Sequence, residues 1–169
     1  MATRRPAIRP TAAFIALLTV LGLGALYGAT SALVPLIKLN AIILTLAAMA
    51  GFLTHAGLQR GLFTNLGVAL VSAALGVAAM WGVWLGLEYP AELLSGLEKQ
   101  GAQGVVELVT GLARTTTISL RGASGSVSTH GPDTVRMVWM AETAVMALSP
   151  VLGALWSPVA RRRMAARAA

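Results

Sequence analysis

The stretch TVRMVWMAETAVMALSPVLGALW, running from Thr134 to Trp156, decides how the rest of the chain is read. As a helix rising about 1.5 Å per residue it would be roughly 30 Å long, the thickness of a bilayer hydrocarbon core. It is mostly apolar, an arginine cluster follows it, and a single acid, Glu142, stands inside it. Glu142 falls roughly 12 Å in from Thr134. An ionisable group at that depth is expensive and as a rule faces a helix interface or a wet cavity.

At about 100° per residue, Val135, Val138, Met146, Ser149 and Gly153 share the Glu142 face, and Met140, Ala144, Ala147 and Val151 lie opposite. The small and polar residues therefore predict a packed face, and the aliphatic ones a lipid face. Pro150 removes the backbone bond to Met146 and predicts a bend one turn further along. Two readings of Glu142 stand side by side. It is a proton or cation site, or it is a hydrogen-bonded carboxyl that ties neighbouring helices together.

Working outward, 56% of the 169 residues are hydrophobic and 11% charged, against about 25% charge in a soluble domain. The predicted class is an all-α membrane protein, a four-transmembrane-helix bundle forming one membrane domain. Cysteine is absent, which excludes disulfides, zinc–thiolate sites and thiol catalysis. The net charge of +7 would suggest nucleic acid in a soluble chain. Here the basic residues flank apolar segments, where they set topology, and no aromatic-rich basic groove accompanies them. The partners expected are the lipid bilayer and a second copy or another membrane protein, with no nucleic acid and no cofactor.

The spans are predicted at about 12–31, 38–55, 64–87 and 134–157. Arg4, Arg5 and Arg9 precede the first, a pattern shared with signal peptides. The apolar run is long for a signal core and further apolar segments follow, so an uncleaved first helix is preferred. Gly24 and Gly28 form a Gly-x-x-x-Gly pair suited to close helix approach, although glycine is simply common in membrane helices. His55 to Phe63 reads as a tight polar turn carrying Arg60. In the third span Ala78, Gly82 and Gly86 repeat the small-residue spacing. Trp81, Trp84 and Tyr89 at its end read as interfacial anchors.

Between spans three and four, residues 88–133, the composition changes. Of the 6 acids in the chain, all but Glu142 fall here: Glu88, Glu92, Glu98, Glu107 and Asp133. Helical pieces from Pro90 to about Gln100 and from Gly104 to Ala113 are predicted to lie on the bundle as interfacial or partly re-entrant segments. Thr115 to Leu120 favours extended structure, and Gly122 to Pro132 reads as a mobile Gly/Ser loop.

Four spans put Arg4, Arg5, Arg9, Arg60, Arg161, Arg162, Arg163 and Arg167 on one side with no acid. The other side receives Lys38 and the acidic segment Glu88 to Asp133, with Lys99, Arg114, Arg121 and Arg136. This predicts both termini in the cytoplasm, in the inner membrane of a bacterium. It also separates His55 from His130 by about a bilayer, so the two cannot share a metal. Ser124, Ser126 and Ser128 near His130 lack an orienting acid or oxyanion scaffold, and no catalytic residue is assigned. At comparable depth the other helices offer Tyr27, Thr45 and Trp81 as hydrogen-bond donors to Glu142, with Ser149 on its own face.

The order of these features resembles that of small four-pass bacterial membrane proteins whose role is uncharacterised. The likeness runs from about Gly24 to Leu152, and Trp139-x-x-Glu142 is its most specific element. It implies a four-pass fold and supplies no activity. The expectation is a non-catalytic subunit or scaffold, with a small transporter or channel component using Glu142 as the alternative.

Overall fold

The structure, a computed structural model, describes residues 10–34, 37–59, 61–89, 118–122, 125–129 and 132–157, with single positions and short runs between 103 and 114 and at 162 and 166. Helix α1 covers Pro10–Leu33, α2 Ile37–Ala56 and α3 Leu62–Glu88; after a hairpin of strands β1 (Ile118–Gly122) and β2 (Gly125–Thr129) comes α4, Pro132–Leu155. All four helices are long and apolar enough to cross a bilayer. The chain is an all-α integral membrane protein built as a four-helix bundle.

Local chemistry accounts for the boundaries. α1 and α4 both open on proline, whose missing N–H has no partner to lose in a first turn. Asp133 in the first turn of α4 suits the positive end of the helix dipole and sits 3.4 Å from Arg136. α2 gives way at Gly57, whose N–H still reaches the Leu53 carbonyl at 3.0 Å. Extended backbone at Gly61 then starts α3, and its carbonyl accepts from the Asn65 N–H at 2.9 Å. Thr19, Thr30, Thr45 and Thr54 fold their hydroxyls back onto a carbonyl one turn earlier in their own helix, so these donors are not left bare toward lipid.

The helices form a ring in which α1 packs on α3, α3 on α4, α4 on α2 and α2 on α1. α1 with α4, and α2 with α3, therefore face each other across the bundle axis. Bulky side chains point outward, with Phe14, Leu33, Phe63 and Met140 all exposed, while Ala16, Ala47, Ala69 and Ala73 are buried. With lipid outside there is no hydrophobic drive to bury large groups, so small residues that admit close backbones collect inside. On α3 the buried stripe is Asn65, Ala69, Ser72, Ala73, Gly76 and Met80.

Glycine sets the closest approaches. A Cβ on Gly24 would overlap the Gly76 carbonyl, one on Gly28 the Met80 carbonyl, and one on Gly153 the Phe52 carbonyl. The Gly24/Gly28 pair is thus the α1–α3 contact. Ala78, Gly82 and Gly86 instead face outward, and neither glycine has any atom within 4 Å of where a Cβ would stand.

The segment read as a Gly/Ser loop is corrected in part: Gly125–Thr129 pairs antiparallel with Ile118–Gly122, Ile118 opposite Thr129 and Gly122 opposite Gly125. The all-α reading did not include this hairpin. The pairing is local and alternates small polar with branched residues, a pattern the serine content disguised. Positions 103–104, 107–108, 110–112 and 114 are helical, in keeping with the second predicted piece; the first, 90–100, lies outside the described residues.

Candidate functional site

Polar side chains enter the interior at two levels. Nearer the end that carries the β-hairpin, the half-buried Glu142 of α4 meets the buried Tyr27 of α1 across the bundle axis, the two as side-chain hydrogen-bond partners. Ser31, one turn further along α1, carries near the same phenol a buried hydroxyl that makes no hydrogen bond. Tyr27 also belongs to the apolar core with Ala47, Met80 and Met146, and Trp81 packs against that core. A phenol suits this position because its ring packs with methionine while its hydroxyl satisfies a carboxyl.

The other predicted donors divide. Trp81 turns inward, and its Nε1–H donates to Thr143 Oγ1 at 3.0 Å, next to Glu142 in the chain. Thr45 is corrected: it is exposed on the outer surface of α2 and donates to Ala41 O at 2.7 Å, the i−4 carbonyl. Depth alone suggested it; the rotation of α2 about its axis removes it. Ser149 is buried and faces α2, its Oγ at 2.9 Å from where a Cβ on Gly51 would stand, so it serves the α2–α4 contact and not Glu142. Met146, buried, lies between the two levels on α4.

The tryptophans are also placed differently from a belt of separate anchors. Trp81 and Trp84 of α3 and Trp139 of α4 form a triangle, with ring centroids 5.5 Å, 5.6 Å and 5.7 Å apart. Tyr89 extends it at 5.9 Å from Trp84. The rings meet edge to face, the arrangement that sets positive edges on negative faces. Burial and the neighbouring Glu88 carboxylate push the Tyr89 phenol above its ordinary value, so it stays neutral in any physiological medium. Trp139 stands one turn from Glu142, a rise of about 4.5 Å, and Trp81 is bonded to Thr143, the next residue in the chain, so the cluster and the carboxyl lie within about a turn of each other along α4.

Toward the end that carries the termini, sequence reasoning missed a second polar level. His55 is not in a turn: it closes α2, fully buried, with its ring leaning back toward the helix start as helical side chains do. Nδ1 lies 2.8 Å from Gly51 O and Nε2 3.1 Å from Ser72 Oγ on α3, across the other diagonal of the ring. A carbonyl only accepts, so Nδ1 carries the hydrogen and, in the neutral ring, Nε2 accepts from Ser72. Asn65, also fully buried, donates from Nδ2 to Leu58 O at 3.0 Å and to Ser157 Oγ at 3.4 Å, tying the α2–α3 turn to the end of α4. A usable signal was present: Asn65 and Ser72 fall seven apart on one face with Ala69 and Gly76, a polar and small stripe in a leucine- and valine-rich span.

Among the described residues no group of three or more His, Asp or Glu is placed to hold a metal. Fold and interior together define a helical four-pass membrane protein whose two interior levels each join opposite helices. No protein-family model matches the chain, and neither a curated protein nor a solved structure does.

Proposed function

We propose that this chain is a non-catalytic membrane subunit or scaffold, seated in a bacterial cytoplasmic membrane with both termini in the cytoplasm. One observation carries the reading: four interior polar pairs each join separate segments of the bundle, although Ser31 Oγ, Asn40 Oδ1 and Asn65 Oδ1 are buried without a partner. Tyr27 meets Glu142, Trp81 meets Thr143, His55 meets Ser72 and Asn65 meets Ser157. Each pair satisfies groups that would be expensive bare in hydrocarbon, and each fixes one helix against another. The partner is a second copy or another membrane protein. The orientation rests on the arginines: eight of the eleven fall to the side of the termini with no acid, while Arg114, Arg121 and Arg136 go with the acids other than Glu142 opposite.

The test is reconstitution of the whole chain into proteoliposomes, with cross-linking in native membranes beside it. A scaffold gives no proton or cation flux above empty vesicles and a discrete cross-linked species. Saturable flux would overturn the proposal.

A second reading, a transporter or channel component working through Glu142, is favoured by one specific feature. Glu142 is only half-buried, unlike His55 and Asn65, and among the described residues it is the one charged side chain in the middle of a span. Glu142→Gln keeps shape and hydrogen bonding but removes the charge. Flux that survives it unchanged ends that reading.

A further inference from the structure

We infer that the bundle holds, at the level of Glu142, a binding site for an organic monocation of the quaternary-ammonium type. Glu142 is its counter-ion, and the indoles of Trp81, Trp84 and Trp139 form its aromatic wall. This goes beyond the scaffold proposal and does not rest on it, since a bound cation requires neither transport nor a protein partner.

The first support is charge. Among the described residues no basic side chain pairs with Glu142; Arg136, on the same helix, is engaged with Asp133 at 3.4 Å and lies roughly 9 Å nearer the helix start. The phenol of Tyr27 supplies one donor but no positive charge. A carboxylate half-sunk in a bilayer with no built-in cation is poised for one from outside.

The second is the aromatic triangle. Its three rings are half-buried, mutually within 5.7 Å, and belong to α4, which carries the acid, and to its neighbour α3. Trp81 is held in place by its hydrogen bond to Thr143, so the wall is oriented before any ligand arrives. Indole is the strongest of the side-chain rings toward cations, acting within about 6 Å of the ring centroid.

The chemistry of the donors selects the class of cation. Hard metal ions need about six oxygen ligands, and this site offers the Glu142 carboxyl and the hydroxyls of Tyr27 and Ser31. A quaternary ammonium needs no hydrogen-bond acceptors, is weakly hydrated and spreads its charge over alkyl groups that pack on indole. Two sources carry that chemistry: the choline headgroup of a lipid, and a free organic ammonium.

The experiment uses the full chain carrying Trp156→Phe, so that emission reports the triangle alone, in maltoside micelles titrated with tetrapropylammonium against sodium at equal ionic strength. The site predicts a saturable emission change with tetrapropylammonium only, weakened about tenfold by Glu142→Gln and about tenfold by Trp139→Leu. Trp139→Phe keeps a ring and loses less, which guards against misfolding as the cause. Size-exclusion elution and circular dichroism confirm that each variant is folded. A response that is linear, shared with sodium, or equally tight in folded Glu142→Gln overturns the site. Repeating the titration in phosphatidylcholine nanodiscs separates the sources. Weaker apparent affinity there than in micelles assigns the site to the lipid headgroup, and equal affinity assigns it to a soluble cation.

Discussion

At the hairpin end of the bundle a phenol on α1 meets a carboxyl on α4; at the terminal end an imidazole on α2 meets a hydroxyl on α3. Each contact crosses the axis between helices that are not neighbours in the ring, and the two use opposite diagonals. The difference lies in what surrounds them. His55, Ser72 and Asn65 are wholly buried; the Gly51 carbonyl takes the His55 donor, the Leu58 carbonyl that of Asn65, and the His55 ring that of Ser72. Glu142 is half-buried, one helical turn along α4 from the indole of Trp139. The terminal level is a fully buried cluster of uncharged groups, in which Asn65 Oδ1 is left without a partner. The hairpin level performs the same joining role with a group that retains charge-bearing chemistry and partial access. Small-residue contacts of the Gly24 and Gly76 kind hold the frame in which both operate.

That contrast can be broken or sharpened in order of expected effect. Gly28→Leu should be the most damaging, because its side chain would need to displace the Met80 backbone, which has no freedom to move. A loss of about 3 kcal/mol is expected, near the upper end of ordinary overpacking, read as the midpoint of detergent-induced unfolding by circular dichroism. Gly82→Leu, on the outward face of the same α3, is the control and should leave that midpoint within about 0.5 kcal/mol. If the two variants behave alike, the α1–α3 crossing is wrongly placed.

Next comes the terminal level. Ser72→Ala strips the hydroxyl from a fully buried imidazole nitrogen and should cost about 1 to 2 kcal/mol in the same assay. Tyr27→Phe at the hairpin level should cost less, about 0.6 kcal/mol, since a half-buried carboxyl can turn to other donors. A larger loss for Tyr27→Phe than for Ser72→Ala would reverse the distinction between the two levels. In double-mutant cycles Tyr27→Phe with Glu142→Gln should couple by about 0.5 kcal/mol or more, whereas Tyr27→Phe with Ser72→Ala should add independently. Smallest of all, Thr45→Val should change nothing measurable, as its hydroxyl serves only its own helix on an exposed surface.

Much of the site was legible for one reason and illegible for another. Glu142 announced itself because a carboxylate among apolar residues violates the solvent it sits in, and Tyr27 followed from depth, which helical rise fixes along the chain. Thr45 shared that depth and was nevertheless placed on the lipid surface, because depth says nothing about rotation. His55 was assigned to a turn because a polar residue at the edge of an apolar run looks like a boundary; its burial depends on Ser72 arriving from another helix. The triangle of tryptophans needed Trp139 to meet Trp81 and Trp84, residues more than fifty positions away.

The sequence by itself determined the solvent, the number of spans and the face of α4 that packs. Hydropathy and helical periodicity are properties of neighbouring residues, and a bilayer enforces them locally. Only the tertiary structure decided the order of helices around the ring, and with it which polar groups meet across the axis and which glycines are crossing points. Lipid is as apolar as a leucine, so burial gives almost no instruction about which helix faces which. Close backbone approach and a few hydrogen bonds make that choice, and both exist only once distant segments are side by side.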